Sequence, residues 1–174
     1  LSQNFFDQQP EENRIDAGLG LWLQGDGTGG MKAVPAARSG VRVYGEQRGS
    51  ALGDYDEDGR VDLVVTQNGA TTKLFHNAGA APGLRVKLKG VAGNPSGIGA
   101  VMRLQFKTHQ GPAREIHAGS GYWSQDSLTQ VLATPEKPES IWIRWPGGRG
   151  TTTAVPAAAK EITIDSEGKL VSSR

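Results

Sequence analysis

The chain has 174 residues, with 19 Lys and Arg against 18 Asp and Glu, so at a net charge of +1 no broad field directs it toward nucleic acid or an anionic membrane surface. It contains no cysteine, which excludes disulfides, thiolate metal sites and a cysteine nucleophile. No stretch approaches the roughly 18 consecutive apolar residues of a membrane span, so membrane insertion is not expected. Glycine occurs 25 times, about twice its usual share of roughly 7%, and nine prolines are scattered among short Val, Ile and Leu segments. That is the composition of a turn-rich β protein.

In chain order, residues 1–18 form a polar leader without the basic-then-apolar profile of an export signal. Leu19, Leu21 and Leu23 then alternate into the turn Gly25-Asp26-Gly27-Thr28-Gly29-Gly30 and on to Met31–Val34, a predicted hairpin. Residues 41–45 (VRVYG) read as a short strand, and residues 49–69 as strand, acidic loop and strand. TKLFHNAG adds another strand, and the small residues Ala78 to Gly83 mark the expected boundary between units at 1–79 and 80–174. Beyond it, Leu84, Val86 and Leu88 are predicted inward, with Arg85, Lys87 and Lys89 outward. In GIGAVMRLQFK, Val101 with either Leu104 or Met102 and Phe106 is expected on the buried face. AREIHAGSGYWS reads as a strand entering a glycine-rich bend, while DSLTQVLATPEK is a weak strand. Ile141, Ile143 and Trp145 alternate inward against Trp142 and Arg144. KEITID is read as the last strand, SEGKLVSSR as a frayed tail, and VPAAAKE as one helical turn at most.

The stretch GDYDEDGRVDLVV carries Asp54, Asp56, Glu57, Asp58 and Asp62 within nine residues. Carboxylates about 5 Å apart repel by roughly 0.8 kcal/mol per pair even in water. Asp54, Asp56, Asp58 and Asp62 fall at positions one, three, five and nine of a loop with Gly59 at six, and hard oxygens on alternate residues suit the six to eight ligands of Ca²⁺. The main-chain carbonyl of Arg60, at position seven, is the expected further ligand. An EF-hand is excluded because position twelve is Val65 and the loop runs directly into a strand. Magnesium, which demands a regular octahedron, fits this crowded site less well.

ALGDYDEDGRVDLVVTQNG resembles the calcium-binding FG-GAP repeat, also known as a VCBS-type repeat, of integrin-like β-propellers, and LWLQGDGTGGM and LFHNAG resemble its flanking turns. GIGAVMRL, REIHAGSGYWSQ and SIWIRWPGG resemble the ASPIC/UnbV domain of cartilage acidic protein and many bacterial exported proteins. The resemblance spans about residues 17–165 and implies Ca²⁺ on Asp54, Asp56, Asp58, the Arg60 carbonyl and Asp62. It also implies an extracellular or periplasmic location, with recognition or adhesion as the function. The acidic motif occurs once, whereas closing a propeller takes at least about four blades. The chain is therefore expected to be a partial propeller blade followed by a β-sandwich, with further blades upstream in a longer protein.

Catalysis is not expected. The turn at Gly25–Gly30 spells a nucleotide-binding pattern, but MKAVPAARSG does not supply the helix whose amides would hold a pyrophosphate. His117, Ser120, Ser124 and Asp126 contain the atoms of a nucleophilic triad but are close neighbours in one strand and bend. His76 and His109 stand without ligand-like spacing. Trp142 either covers the blade or, with Trp123 and Tyr122, forms a surface that stacks on a sugar. The rival function is accordingly a carbohydrate-binding or accessory domain of a carbohydrate-active enzyme; otherwise the partner is an unknown protein or glycan.

Overall fold

The computed structural model describes residues 1–3, 11–13 and 18–174. Most of the polar leader lies outside the described residues. The first part of the chain forms a hairpin, β1 (Trp22–Gly25) with β2 (Met31–Val34), and a three-stranded antiparallel sheet of β3 (Gln47–Gly53), β4 (Asp62–Gln67) and β5 (Lys73–Phe75). The β1–β2 turn closes as its residues dictate. Asp26 Oδ1 accepts from the main-chain N–H of Thr28 and Gly30 and from the Thr28 hydroxyl, while Gly27 and Gly29 take positive φ.

The remainder forms two four-stranded sheets. One has the order β13 (Leu170–Ser173), β12 (Glu161–Asp165), β6 (Leu84–Lys89), β9 (Gln130–Leu132). The other has the order β11 (Gly150–Ala154), β10 (Ser140–Arg144), β7 (Val101–Gln105), β8 (Arg114–Glu115). Their inner faces share one apolar core, with Leu84, Val86, Ile162 and Ile164 from the first sheet and Met102, Leu104, Ile141 and Ile143 from the second. Trp145 closes its edge, 5% exposed, with its indole N–H donated to Thr151 Oγ1 at 2.9 Å. The all-β expectation and the inward set on β6 and β10 therefore hold in the structure. β6 and β12 run parallel, pairing Arg85 with Glu161, Thr163 with Lys87 and Asp165 with Lys89.

Several local expectations are corrected. Val41–Gly45 is not a strand: Val43 donates its N–H to Leu19 O and is buried, but the segment crosses residues 18–20 without forming a ladder. The supposed frayed tail is strand β13. Asp165 Oδ1 accepts from the main-chain N–H of Glu167 and Lys169, and Gly168 at φ 83° turns the chain back onto β12. On β7 the buried face carries Met102 and Leu104, continued by Phe106 just beyond the strand, while Val101 lies on the opposite face. AREIHAGSGYWS contributes only the two residues of β8. One helical turn, α1 (Ala36–Ser39), follows Pro35, separated from the glycine-rich turn by β2. Arg85, expected outward, does leave the core face, but that face is covered and its side chain is only 5% exposed.

Candidate metal centre

The acidic loop is the turn between β3 and β4, whose last paired residues are Gly53 and Asp62. Its curl is built from carboxylates accepting main-chain N–H groups. Asp54 accepts from Asp58 N on Oδ1 at 3.1 Å and from Gly59 N on Oδ2 at 2.8 Å, and Asp58 Oδ1 accepts from Arg60 N at 2.8 Å. Asp62 is buried, accepting from Tyr55 N at 3.2 Å and Asn77 N at 2.8 Å. Gly59 has φ 83°, and a Cβ there would lie 3.0 Å from the Gly83 carbonyl oxygen, so both backbone angle and space require glycine. The close approach is used: Gly83 N donates to Gly59 O at 2.8 Å, fastening the loop to the start of β6.

The structure brings Asp54, Asp56 and Asp62 together, each offering an oxygen, with these atoms within 4.8 Å of one another. Two oxygens on one Ca²⁺ at the usual bond length of 2.3–2.6 Å are at most about 5.2 Å apart, a limit these carboxylates meet, and carboxylate is the hard oxygen such an ion takes. Asp58 is turned differently. Arg60 Nη1 donates to its Oδ2 at 2.5 Å, and His76 Nε2 lies 3.2 Å from Asp56 Oδ2 and 3.5 Å from Asp58 Oδ2. Asp56, Asp58 and His76 form a second convergent group that overlaps the first. Arg60 acts here through its main-chain N–H on Asp58 and its guanidinium, whose Nε also donates to Ala80 O at 2.6 Å.

The compensating cations were not foreseen from spacing. Arg85 Nη1 donates to Asp54 Oδ2 at 2.5 Å and its Nε to Glu161 Oε2 at 2.8 Å, while Nη2 stands 3.3 Å from Glu57 Oε1. Glu161 also receives Lys87 Nζ and Arg174 Nη2, each at 3.0 Å, and Arg174 reaches Glu57 as well. Burial opposes ionisation of Glu161, but hydrogen bonds from Arg85, Arg174 and Lys87 outweigh it and lower its pKa to about 2. The Arg174 hydrogen bond likewise holds Glu57 below the ordinary carboxylate value. For Asp58, burial is outweighed by hydrogen bonds from Arg60 and His76, and its pKa is also lowered. Mutual repulsion in the loop is thus relieved in part by guanidinium groups and amides of the chain itself. The available signal was the matched pattern Arg85-Val-Lys87-Leu-Lys89 and Glu161-Ile-Thr-Ile-Asp165, complementary once the two strands are parallel.

The aromatic candidates separate. Tyr122 and Trp123 stack with ring centroids 5.6 Å apart and an interplanar angle of 8°, and they are 61% and 90% exposed. Trp123 takes φ 48° in the tight loop closed by the Gly121–Ser124 bridge, and the backbone of this loop lies against Gly49 of β3. Trp142 is half-buried on the outer face of its own sheet, opposite Arg103 and Thr152, with its indole against Gly150. Asp126 serves the backbone, its Oδ1 accepting Leu52 N at 2.8 Å, while Ser120 N donates to Ser124 O and His117 lies 3.7 Å from Glu115. Among the described residues no helix is long and apolar enough to cross a membrane.

Comparison with curated proteins yields no match. Residues 90–171, the part that supplies the second core sheet together with β9, β12 and the first half of β13, match the family described as ASPIC and UnbV.

Proposed function

We propose that the chain is an extracytoplasmic recognition or adhesion module stabilised by Ca²⁺, in which an FG-GAP-like propeller blade, residues 1–79, precedes the ASPIC/UnbV unit at 80–174. In this reading β3, β4 and β5 belong to the last blade of a longer propeller, and the partner is a protein or glycan. The observation that carries it is the convergence of Asp54, Asp56 and Asp62 within 4.8 Å at a loop hydrogen-bonded to the start of β6. When bound there, Ca²⁺ supplies charge neutralisation and a tie between the strands flanking the loop. Asp54 and Asp62 would hold it from the two strand ends and Asp56 from the loop, with Asp58 and the Arg60 carbonyl as the further expected ligands. Calorimetry on chelator-stripped protein should detect Ca²⁺ uptake, and Asp56→Ala should abolish most of the difference in Tm between calcium and EDTA. Equal EDTA sensitivity in variant and parent rejects the site.

A carbohydrate-binding function is the second reading, favoured by the exposed Tyr122–Trp123 stack, since flat aromatic faces in water suit sugar rings. In a polysaccharide pull-down, Trp123→Ala should lose retention that Trp142→Ala keeps. Retention by both variants, or none by the parent, rejects it.

A further inference from the structure

We infer that Arg85, on strand β6, is the positioning residue of the loop's metal centre, holding Asp54 as a one-oxygen ligand and so tying metal affinity to strand β6. The inference rests on the calcium reading above. Its basis is a count of lone pairs. A carboxylate offers about four acceptor directions. On Asp54, Oδ2 accepts from Gly59 N at 2.8 Å and from Arg85 Nη1 at 2.5 Å, which occupies both of its directions. Oδ1 accepts from Asp58 N at 3.1 Å, leaving one direction for an ion shared with Asp56 and Asp62. The side chain of Asp54 is 1% exposed, so water does not compete for its orientation.

Arg85 is itself fixed from behind. Its Nε donates to Glu161 Oε2 at 2.8 Å across the parallel β6–β12 pair, and Nη2 faces Glu57 at 3.3 Å. Planar guanidinium is the side chain that can do this, since its rigid fork serves two carboxylates on opposite sides at once. Its positive charge is shared among Asp54, Glu57 and Glu161, and the same contacts fix the orientation of Asp54. Outer partners of metal ligands act in this way, and their loss commonly weakens metal affinity by about 10- to 100-fold.

The test is Ca²⁺ titration calorimetry of the full chain after stripping with EDTA. Four proteins are compared: the parent, Glu161→Gln, Arg85→Lys, and the double variant Arg85→Met with Glu161→Gln. The double variant removes the guanidinium without orphaning the buried Glu161 charge, and near-ultraviolet circular dichroism checks that it is folded. Parent and Glu161→Gln should bind alike, because Arg85 still reaches Asp54. The folded double variant should bind at least about tenfold more weakly. Arg85→Lys, which keeps the charge but loses the fork, should fall between the two; this arm decides the matter should the double variant not fold. Unchanged or tighter binding in the Arg85 variants, with a parent that binds, overturns the positioning role and leaves the calcium reading standing. A parent that takes up no Ca²⁺ overturns both.

Discussion

Arg85→Met, measured without metal, isolates what the buried ion cluster contributes to folding. In the parent the guanidinium is 5% exposed and lies between Asp54, 1% exposed, and Glu161, 10% exposed. Removing one member of a buried ion pair typically costs about 3–5 kcal/mol, because the remaining charge stays desolvated. Here Asp54 retains Asp58 N and Gly59 N, and Glu161 retains Lys87 and Arg174, so the lower end, about 3 kcal/mol, is expected. At about 2–4 °C per kcal/mol for a protein of this size, that lowers Tm by about 6–12 °C. Urea unfolding in EDTA at pH 7, followed by circular dichroism, measures the loss directly. Adding Glu161→Gln should recover about 1 kcal/mol or more, since the two sites share one interaction and do not add. A single-variant loss below about 1 kcal/mol, or a double variant as unstable as the sum of the singles, refutes the reasoning.

Acid should expose the same cluster. Glu161 has a folded pKa of about 2 against an ordinary 4.5, so its contribution is complete above pH 4.5 and is lost as pH falls toward 2. The shift corresponds to about 3 kcal/mol, and the urea midpoint of the parent should fall more steeply between pH 5 and 2.5 than that of Glu161→Gln; parallel profiles would contradict this. In the core, Trp145→Ala should cost about 3–5 kcal/mol because the indole is buried and its N–H is bonded to Thr151. Trp142→Ala, on the half-exposed outer face, should cost clearly less in the same urea assay, and equal losses would mean that β10 is faced the wrong way round.

Alternation along Leu84–Lys89 and Ser140–Arg144 was enough to place Leu84, Val86, Ile141 and Ile143 inward, because a strand's period of two is a local property. The glycine-rich turn after Trp22–Gly25 and the aspartate loop before β4 were legible for the same reason: turn chemistry is carried by a few adjacent residues. β13 was misread although Asp165 and Gly168 carried the turn signal, because its own residues alternate weakly and its edge position comes from the ladder with β12. Val41–Gly45 has the alternation of a strand but no ladder partner, and sequence pattern alone does not say whether one exists.

The aspartates, their spacing and the glycine that bends them are written in one short stretch, and the apolar faces of β6 and β10 are each written in their own. Which groups answer that charge was decided by the fold. Arg85 and Glu161 are 76 positions apart, and they meet only because β6 and β12 pair in parallel and the loop closes over their outer face. Periodicity tells which side of a strand a residue occupies; what covers that side depends on contacts between distant segments, and these exist only once the chain has folded.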